Sequence, residues 1–79
     1  MREITLEDKA LITARLCGLL KLTRECSDLE SLTYEKNPET LEESVHAVWK
    51  KEDGMDYHNM IDVTADSGIA LIRDVCRAI

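Results

Sequence analysis

The chain has 79 residues, of which 44% are hydrophobic and 33% charged, and its formal net charge at pH 7 is −6. A chain of this length predicts one small domain, residues 1–79, with no room for a second core or a large enclosed active site. The composition is that of a folded domain and excludes a disordered tail. No apolar run approaches the ~20 residues that a membrane helix needs.

The cysteines indicate a reducing compartment. Cys17, Cys26 and Cys76 are odd in number and show no CxxC spacing. Together with the absence of a signal-peptide pattern, this favours free thiols in a cytoplasmic protein over a disulfide framework. All three lie on predicted helix faces at core-like positions, where a thiol behaves as a small hydrophobe.

The first predicted element is a long helix that begins after Thr5 and continues to about Glu30. Thr5 is a suitable N-cap, and Glu7 and Asp8 place negative charge in the first turn. Apolar residues at helical spacing predict its buried stripe: Leu11, Ile12, Leu16, Leu19, Leu22, Cys26 and Leu29.

Three residues complicate this helix. Cys17 and Leu20 lie towards the side opposite the stripe, so a second face could be covered or could pair with another copy of the chain. Gly18 costs about 1 kcal/mol relative to alanine in a helix interior. It marks either a close approach of another element or a tolerated surface position.

The segment from Ser31 to Lys51 allows two interpretations. Alternation over residues 32–36 favours an edge strand, and Asn37-Pro38 marks a turn. Beyond it, a capping-box pattern at Thr40 precedes apolar residues at helical spacing and predicts a helix over 40–50. The competing interpretation is a strand over 44–51, which we favour because a strand at 56–64 needs a partner.

A β-hairpin follows from residue chemistry around Asp53-Gly54, a strong turn signal. A two-residue loop would set Glu52 opposite Met55. A three-residue loop with Gly54 in the left-handed conformation instead creates the favourable pairs Val45–Ile61, Ala47–Asn59, Trp49–Tyr57 and Lys50–Asp56. Apolar and aromatic pairs of this kind stabilise a sheet by roughly 0.2–1 kcal/mol each, and we therefore predict the three-residue loop.

The last predicted element is a helix capped by Asp66 or Ser67. Its expected buried side consists of Ile69, Ile72, Val75 or Cys76, and Ile79. The elements together predict an α+β fold of order α-β-β-β-α, with a long N-terminal helix, a small antiparallel sheet whose hairpin spans about 44–64, and a C-terminal helix on the same side.

No catalytic or metal-binding motif accompanies this fold. The junction of residues 63–68 resembles an anion-binding loop, but Asp66 would occupy its donors and repel a phosphate, so a helix cap is favoured. His46 and His58 are diagonal neighbours in the predicted hairpin and lack a metal-ligand spacing. Nothing in the spacing supports a catalytic pair of Cys76 with His58. We therefore expect no enzyme, no metal and no cofactor.

The distribution of charge is the most informative functional feature. Residues 1–24 carry a balance of +2 and residues 67–79 of +1, whereas residues 25–66 carry −9. Phosphate would repel this central segment, so direct nucleic-acid binding is not expected, whereas a basic protein partner would be attracted. We predict a partner-binding acidic surface formed by Glu39, Glu42, Glu43, Glu52, Asp53 and Asp56. The alternative is an acidic surface that is only solvated.

The pattern of a hairpin followed by IDVTADSGIALIRDV (residues 61–75) resembles small proteins encoded by phages and mobile elements of bacteria. In size and acidity the chain is also similar to anti-CRISPR proteins, although it shares no specific family motif with them. That resemblance implies an inhibitor that blocks a basic, nucleic-acid-binding surface of a host protein. The competing hypothesis is a small structural domain that forms homodimers through a hairpin edge or through Cys17 and Leu20.

Overall fold

The computed structural model describes residues 4–79 and contains two helices and a three-stranded antiparallel sheet. The elements are α1 (Leu6–Leu20), β1 (Leu29–Lys36), β2 (Glu43–Lys50), β3 (Asp56–Val63) and α2 (Gly68–Ala78). This is the predicted α-β-β-β-α order, and each strand pairs with its neighbour in the chain. Among residues 4–79, no helix is both long enough and apolar enough to cross a membrane.

The predicted hairpin register is confirmed. The pairs between β2 and β3 include Val45–Ile61, Ala47–Asn59, Trp49–Tyr57 and Lys50–Asp56. The loop closes where Lys51 N donates to Met55 O (3.2 Å) and Gly54 N donates to Lys51 O (2.9 Å). Gly54 has φ 80°, the left-handed conformation that a residue without a Cβ adopts at no steric cost.

Residues 43–50 form a strand, and the competing helix over 40–50 is absent. β2 is the central strand and pairs with β1 on one side and β3 on the other. The helical spacing of Leu41, Val45 and Val48 is therefore coincidental, because pairing on both sides of β2 outweighs local preference. Thr40 forms no capping box, since its Oγ1 instead accepts a hydrogen bond from Glu42 N within the loop (3.3 Å).

The prediction that α1 continues to about Glu30 is wrong, although its N-cap is correct. Thr5 Oγ1 accepts a hydrogen bond from Asp8 N (3.0 Å), and the Asp8 side chain in turn accepts one from the Thr5 backbone. The helix ends at Leu20, where Thr23 Oγ1 donates to Leu20 O (2.6 Å) and accepts from Cys26 N (3.2 Å). These side-chain bonds replace the helical ones and turn the chain towards β1.

The buried face of α1 matches the predicted stripe in part, because Leu16 is buried and Ile12 packs against the core. Its buried residues are Lys9, Thr13, Leu16 and Cys17. Leu19 and Leu22 are 65% and 83% exposed. Because apolar residues occur on every side of this helix, periodicity alone could not identify the side that faces the sheet.

The buried face of α2 matches the prediction in part, because Val75 is buried and Ile72 packs against the core. Ala70, Leu71 and Val75 are buried, whereas Ile69 is 74% exposed and Cys76 is exposed. Residues 69–72 are consecutively apolar, so the pattern admits more than one face. The predicted core-like position is confirmed for Cys17 and Cys26 and is wrong for Cys76.

Both helices cover a single face of the sheet. The core joins Leu16 and Cys17 of α1 and Leu71 and Val75 of α2 to the inward-facing residues of the strands. The opposite face, which we call the open face, has no covering element among residues 4–79. Its outward positions, none of them buried, are Ser31, Thr33, Glu35, Ser44, His46, Val48, Lys50, Asp56, His58, Met60 and Asp62.

Gly18 is a surface position, because a Cβ built there would meet nothing within 4 Å. Replacing Gly18 with alanine should therefore raise the free energy of unfolding by about 0.5–1 kcal/mol, since alanine loses less backbone entropy in a helix. Thermal unfolding followed by circular dichroism measures the change as an increase in Tm. A decrease in Tm would show that another element approaches this position.

Candidate functional site

The structure divides the predicted acidic surface between the two ends of the sheet. Glu39, Glu42 and Glu43 lie at the β1–β2 loop, whereas Glu52, Asp53 and Asp56 lie at the β2–β3 hairpin. The eight residues of β2 separate these groups, which at ~3.3 Å per residue is roughly 23 Å. They are close in sequence but do not form one surface.

The more acidic end contains a shallow concavity of about 830 Å³. Its lining includes five carboxylates and one lysine: Glu35, Glu39, Glu42, Glu43, Asp62 and Lys36. Glu35, Ser44 and Asp62 form a single row across the three strands of the open face. We call this region the acidic concavity. Glu35 and Asp62 were absent from the predicted surface, and only the β1–β2–β3 register places them beside Glu42.

Glu43 has a structural role in this region. Its side chain is 15% exposed and accepts hydrogen bonds from Lys9 Nζ and Tyr34 Oη. Burial alone would raise the pKa of Glu43, but the hydrogen bonds and the positive charge of Lys9 outweigh it and lower the pKa. Burial and the neighbouring Glu43 carboxylate also raise the pKa of Tyr34. Glu43 therefore joins α1 to the sheet and is not free to meet a partner.

The β1–β2 loop holds the outer carboxylates in place. Asn37 Oδ1 accepts hydrogen bonds from Glu39 N (2.9 Å) and Thr40 N (3.3 Å), and Leu41 N donates to Asn37 O (2.8 Å). Asn37 N also donates to Glu42 O (2.9 Å). Glu39 and Glu42 thus project from a loop that is closed by its own hydrogen bonds.

Leu41 has an unusual conformation at this loop. Its φ is 64°, in the left-handed region that costs a residue with a Cβ roughly 1–2 kcal/mol. Its side chain is 65% exposed, so burial does not repay this cost. Together with Glu42, Glu43, Asp62 and Val63, Leu41 lines a second depression beside the acidic concavity.

The hairpin end is less acidic, because positive groups are interspersed among its carboxylates. Lys51 Nζ donates to Asp28 Oδ2 (2.9 Å) and lies 5.4 Å from the centroid of the Trp49 ring. This hydrogen bond from Lys51 lowers the pKa of Asp28. The surrounding surface carries three basic and four acidic residues: Arg24, Lys50, Lys51, Glu25, Asp28, Glu52 and Asp53.

Asp53 serves the turn itself. Its carboxylate accepts hydrogen bonds from Met55 N (2.9 Å) and Tyr57 Oη (2.8 Å), which lower its pKa. All three predicted residues at this end are exposed, but the Asp53 carboxylate is engaged in the turn. The hairpin end therefore offers a weaker acidic surface than the sequence indicated.

The two histidines are in direct contact. His46 Nε2 and His58 Nδ1 are 2.8 Å apart on the open face. Cys76 lies on α2, which packs against the opposite face, so the structure does not bring it to His58. Among residues 4–79, no group of three or more His, Cys, Asp or Glu side chains is arranged to hold a metal ion.

The junction before α2 is a helix cap, as predicted. Ser67 is the N-cap, and its Oγ accepts a hydrogen bond from Ala70 N (3.1 Å). Asp74 supports the junction by accepting hydrogen bonds from Thr64 N (2.9 Å) and Thr64 Oγ1 (3.0 Å). These contacts lower the pKa of Asp74.

Of the two surfaces predicted for self-association, the helix patch is largely covered, because Cys17 is buried and Leu20 is partly buried against the core. The hairpin edge, β3, is an outer strand of the sheet. The exposed apolar surface of the helices lies elsewhere, in a groove between α1 and α2. Its lining residues are Leu11, Ile12, Arg15, Leu16, Leu19 and Ile72.

Comparisons with protein-family models, with curated protein sequences and with solved structures found no match to this chain.

Proposed function

We propose that the protein is a non-enzymatic, acidic protein-binding module whose acidic concavity engages a basic surface on another protein. The observation that carries the proposal is the group of exposed carboxylates in the acidic concavity, with Leu41 in an adjoining depression that shares Glu42 and Asp62 with it. Leu41 is held outward at φ 64° and is 65% exposed. A leucine beside the concavity supplies an apolar contact next to a charged surface, and protein interfaces combine apolar and polar groups in this way.

Charge supports this choice of surface. Glu35, Glu39, Glu42 and Asp62 are exposed, and among residues 4–79 Lys36 is the single basic residue lining the concavity. A surface of one sign accelerates encounter with a partner of the opposite sign and sets its orientation. Lysine and arginine side chains are the groups that match exposed carboxylates.

The partner that fits best is a protein whose basic surface normally binds nucleic acid. Such a surface is built to neutralise closely spaced phosphates, and grouped carboxylates offer it a competing set of negative charges. The module would then act as an inhibitor that blocks the nucleic-acid site, without binding nucleic acid itself.

The proposal is tested with two charge-reversal variants, one at the acidic concavity and one at the hairpin end of the sheet. The triple variant Glu39→Lys, Glu42→Lys and Asp62→Lys leaves the buried Glu43 intact. The control reverses Glu25, Glu52 and Asp56, which are exposed at the hairpin end. Partners are captured from cells of the organism that encodes the protein, identified by mass spectrometry, purified, and assayed for direct binding.

We expect the concavity variant to bind the purified partner at least about tenfold more weakly, equivalent to about 1.4 kcal/mol, with little change in the control. Raising salt from about 0.1 M to about 1 M shortens the screening length from ~10 Å to ~3 Å and should weaken wild-type binding. A nucleic-acid ligand of the partner should compete. Equal affinity of both variants, or binding that is insensitive to salt, would contradict the proposal.

A further inference from the structure

The centre of the open face holds two imidazoles in contact. His46 Nε2 and His58 Nδ1 are 2.8 Å apart, their ring centroids are 5.0 Å apart, and the ring planes are tilted by 36°. His46 pairs with Met60 across the strands, and His58 pairs with Val48. The contact is therefore diagonal, between side chains on the same face of neighbouring strands.

Met60 lies beside both histidines. It is directly opposite His46 on the neighbouring strand and two residues after His58 on the same strand, and it is 53% exposed. Directly opposed residues have Cβ atoms ~4.5–5.5 Å apart, and methionine is long and flexible enough to reach a point between the two rings. The strand register therefore places the Met60 thioether within reach of the two imidazoles.

We propose that His46, His58 and Met60 form a binding site for Cu(I) on the open face. Thioether sulfur is a soft ligand that suits Cu(I), and imidazole also binds copper well. Mg²⁺ and Ca²⁺ require several oxygen ligands, which this patch does not supply. Met60 also lines the acidic concavity, but the two proposals are tested on different residues, so each can fail without the other.

The geometry needs only a small adjustment. Metal–imidazole bonds of ~2.0–2.1 Å at tetrahedral to trigonal angles set the two nitrogens roughly 3.3–3.6 Å apart. The present separation is 2.8 Å, so the nitrogens must part by less than about 1 Å and the rings must turn until both nitrogen lone pairs point to the metal. Rotation of side chains that no helix covers allows this movement.

The proton between the rings is accounted for by a change of tautomer. In the contact, one of the two facing nitrogens carries the hydrogen and the other accepts it. Metal binding requires both facing nitrogens to be free, so His46 keeps its proton on Nδ1 and His58 on Nε2. Neither histidine loses its only proton, and both remain neutral ligands.

The test is an anaerobic titration of the protein with Cu(I) against the chromophoric chelator bicinchoninate. Cys76 is an exposed thiol and itself a potential Cu(I) ligand, so the variants are made in a Cys76→Ser background. In that background, His58→Ala and His46→Ala should each weaken Cu(I) binding by at least about tenfold, since even loss of an outer-sphere partner costs a metal site that much. X-ray absorption should detect one sulfur ligand, and Met60→Leu should remove it.

Circular dichroism and unfolding curves check that the variants are folded. We expect them to fold because the replaced side chains lie outside the core. The proposal is overturned if Cys76→Ser alone abolishes binding, because the thiol would then be the ligand. It is also overturned if His58→Ala keeps the affinity, or if the sulfur signal persists in Met60→Leu. Three results together support the proposal. Cys76→Ser keeps its Cu(I) affinity, both histidine variants lose affinity, and Met60→Leu loses the sulfur signal.

Discussion

Replacing Leu71 with alanine should lower the free energy of unfolding by about 3–4 kcal/mol, because the substitution removes buried methyl groups and leaves a cavity. Leu71 is 0% exposed and is among the largest fully buried side chains of the protein. A domain of this size is stable by only about 4–12 kcal/mol in total, so the loss should be a large fraction. Urea unfolding followed by circular dichroism measures it, and Leu71→Val provides a milder variant if the alanine protein does not fold.

The matched control is Ile69→Ala in the same helix. Ile69 is 74% exposed, and a substitution at such a surface position should change the free energy of unfolding by less than about 0.5 kcal/mol. The sequence pattern assigned Ile69 to the core, so the pair of variants separates the observed orientation of α2 from the predicted one. Similar losses at both positions would show that α2 presents a different face to the sheet.

Replacing Lys9 with methionine should lower the free energy of unfolding by about 3 kcal/mol, because removing one member of a buried ion pair leaves the other charge without its partner. The side chains of Lys9 and Glu43 are 10% and 15% exposed, and the pair joins α1 to β2. Lys9 Nζ also lies 5.6 Å from the centroid of the Tyr34 ring. Urea unfolding at neutral pH gives the effect of the single change.

A double-mutant cycle identifies the origin of this loss. If the isolated carboxylate of Glu43 causes it, Lys9→Met combined with Glu43→Leu should be more stable than Lys9→Met alone, with a coupling of about 1–3 kcal/mol. Additive losses would contradict an ion pair and indicate that Lys9 acts only through packing of its aliphatic chain.

The Lys9–Glu43 pair also predicts how the free energy of unfolding changes at acidic pH. The pKa of Glu43 lies below its ordinary value of 4.5 in the folded protein. The ionised carboxylate therefore contributes fully to the free energy of unfolding above pH 4.5, and this contribution is lost as pH falls through the lowered pKa. Wild-type stability should therefore decrease below about pH 4.5, the ordinary value. The decrease should be smaller in Glu43→Gln. Asp28, Asp53 and Asp74 also have lowered pKa values and contribute to the decrease in both proteins.

The hairpin could be predicted from sequence because its signals are local and consistent. Asp53-Gly54 identifies the turn, and only one loop length places Trp49 beside Tyr57 and Val45 beside Ile61. A shift of one residue would exchange the two faces of the strand. The N-caps at Thr5 and Ser67 were predictable for the same reason, since each depends on a few adjacent residues.

The helix orientations could not be predicted, because both helices have apolar residues on more than one side. Which side is buried depends on where the sheet lies, and this is set by pairing between distant parts of the chain. The full set of residues in the acidic concavity could not be predicted for the same reason. Glu35 and Asp62 are far apart in sequence and meet only through β2, while Glu43 and Glu52 are close in sequence and lie at opposite ends of that strand.

The one-sided arrangement of the helices also affects how this protein can change over evolution. Core packing takes place on the inner face, so the outward residues of the three strands contribute little to the shape of the core. Substitutions there should have small effects on stability. A new partner preference or a new ligand can therefore arise on the open face by successive single substitutions, with no compensating change needed beneath the sheet.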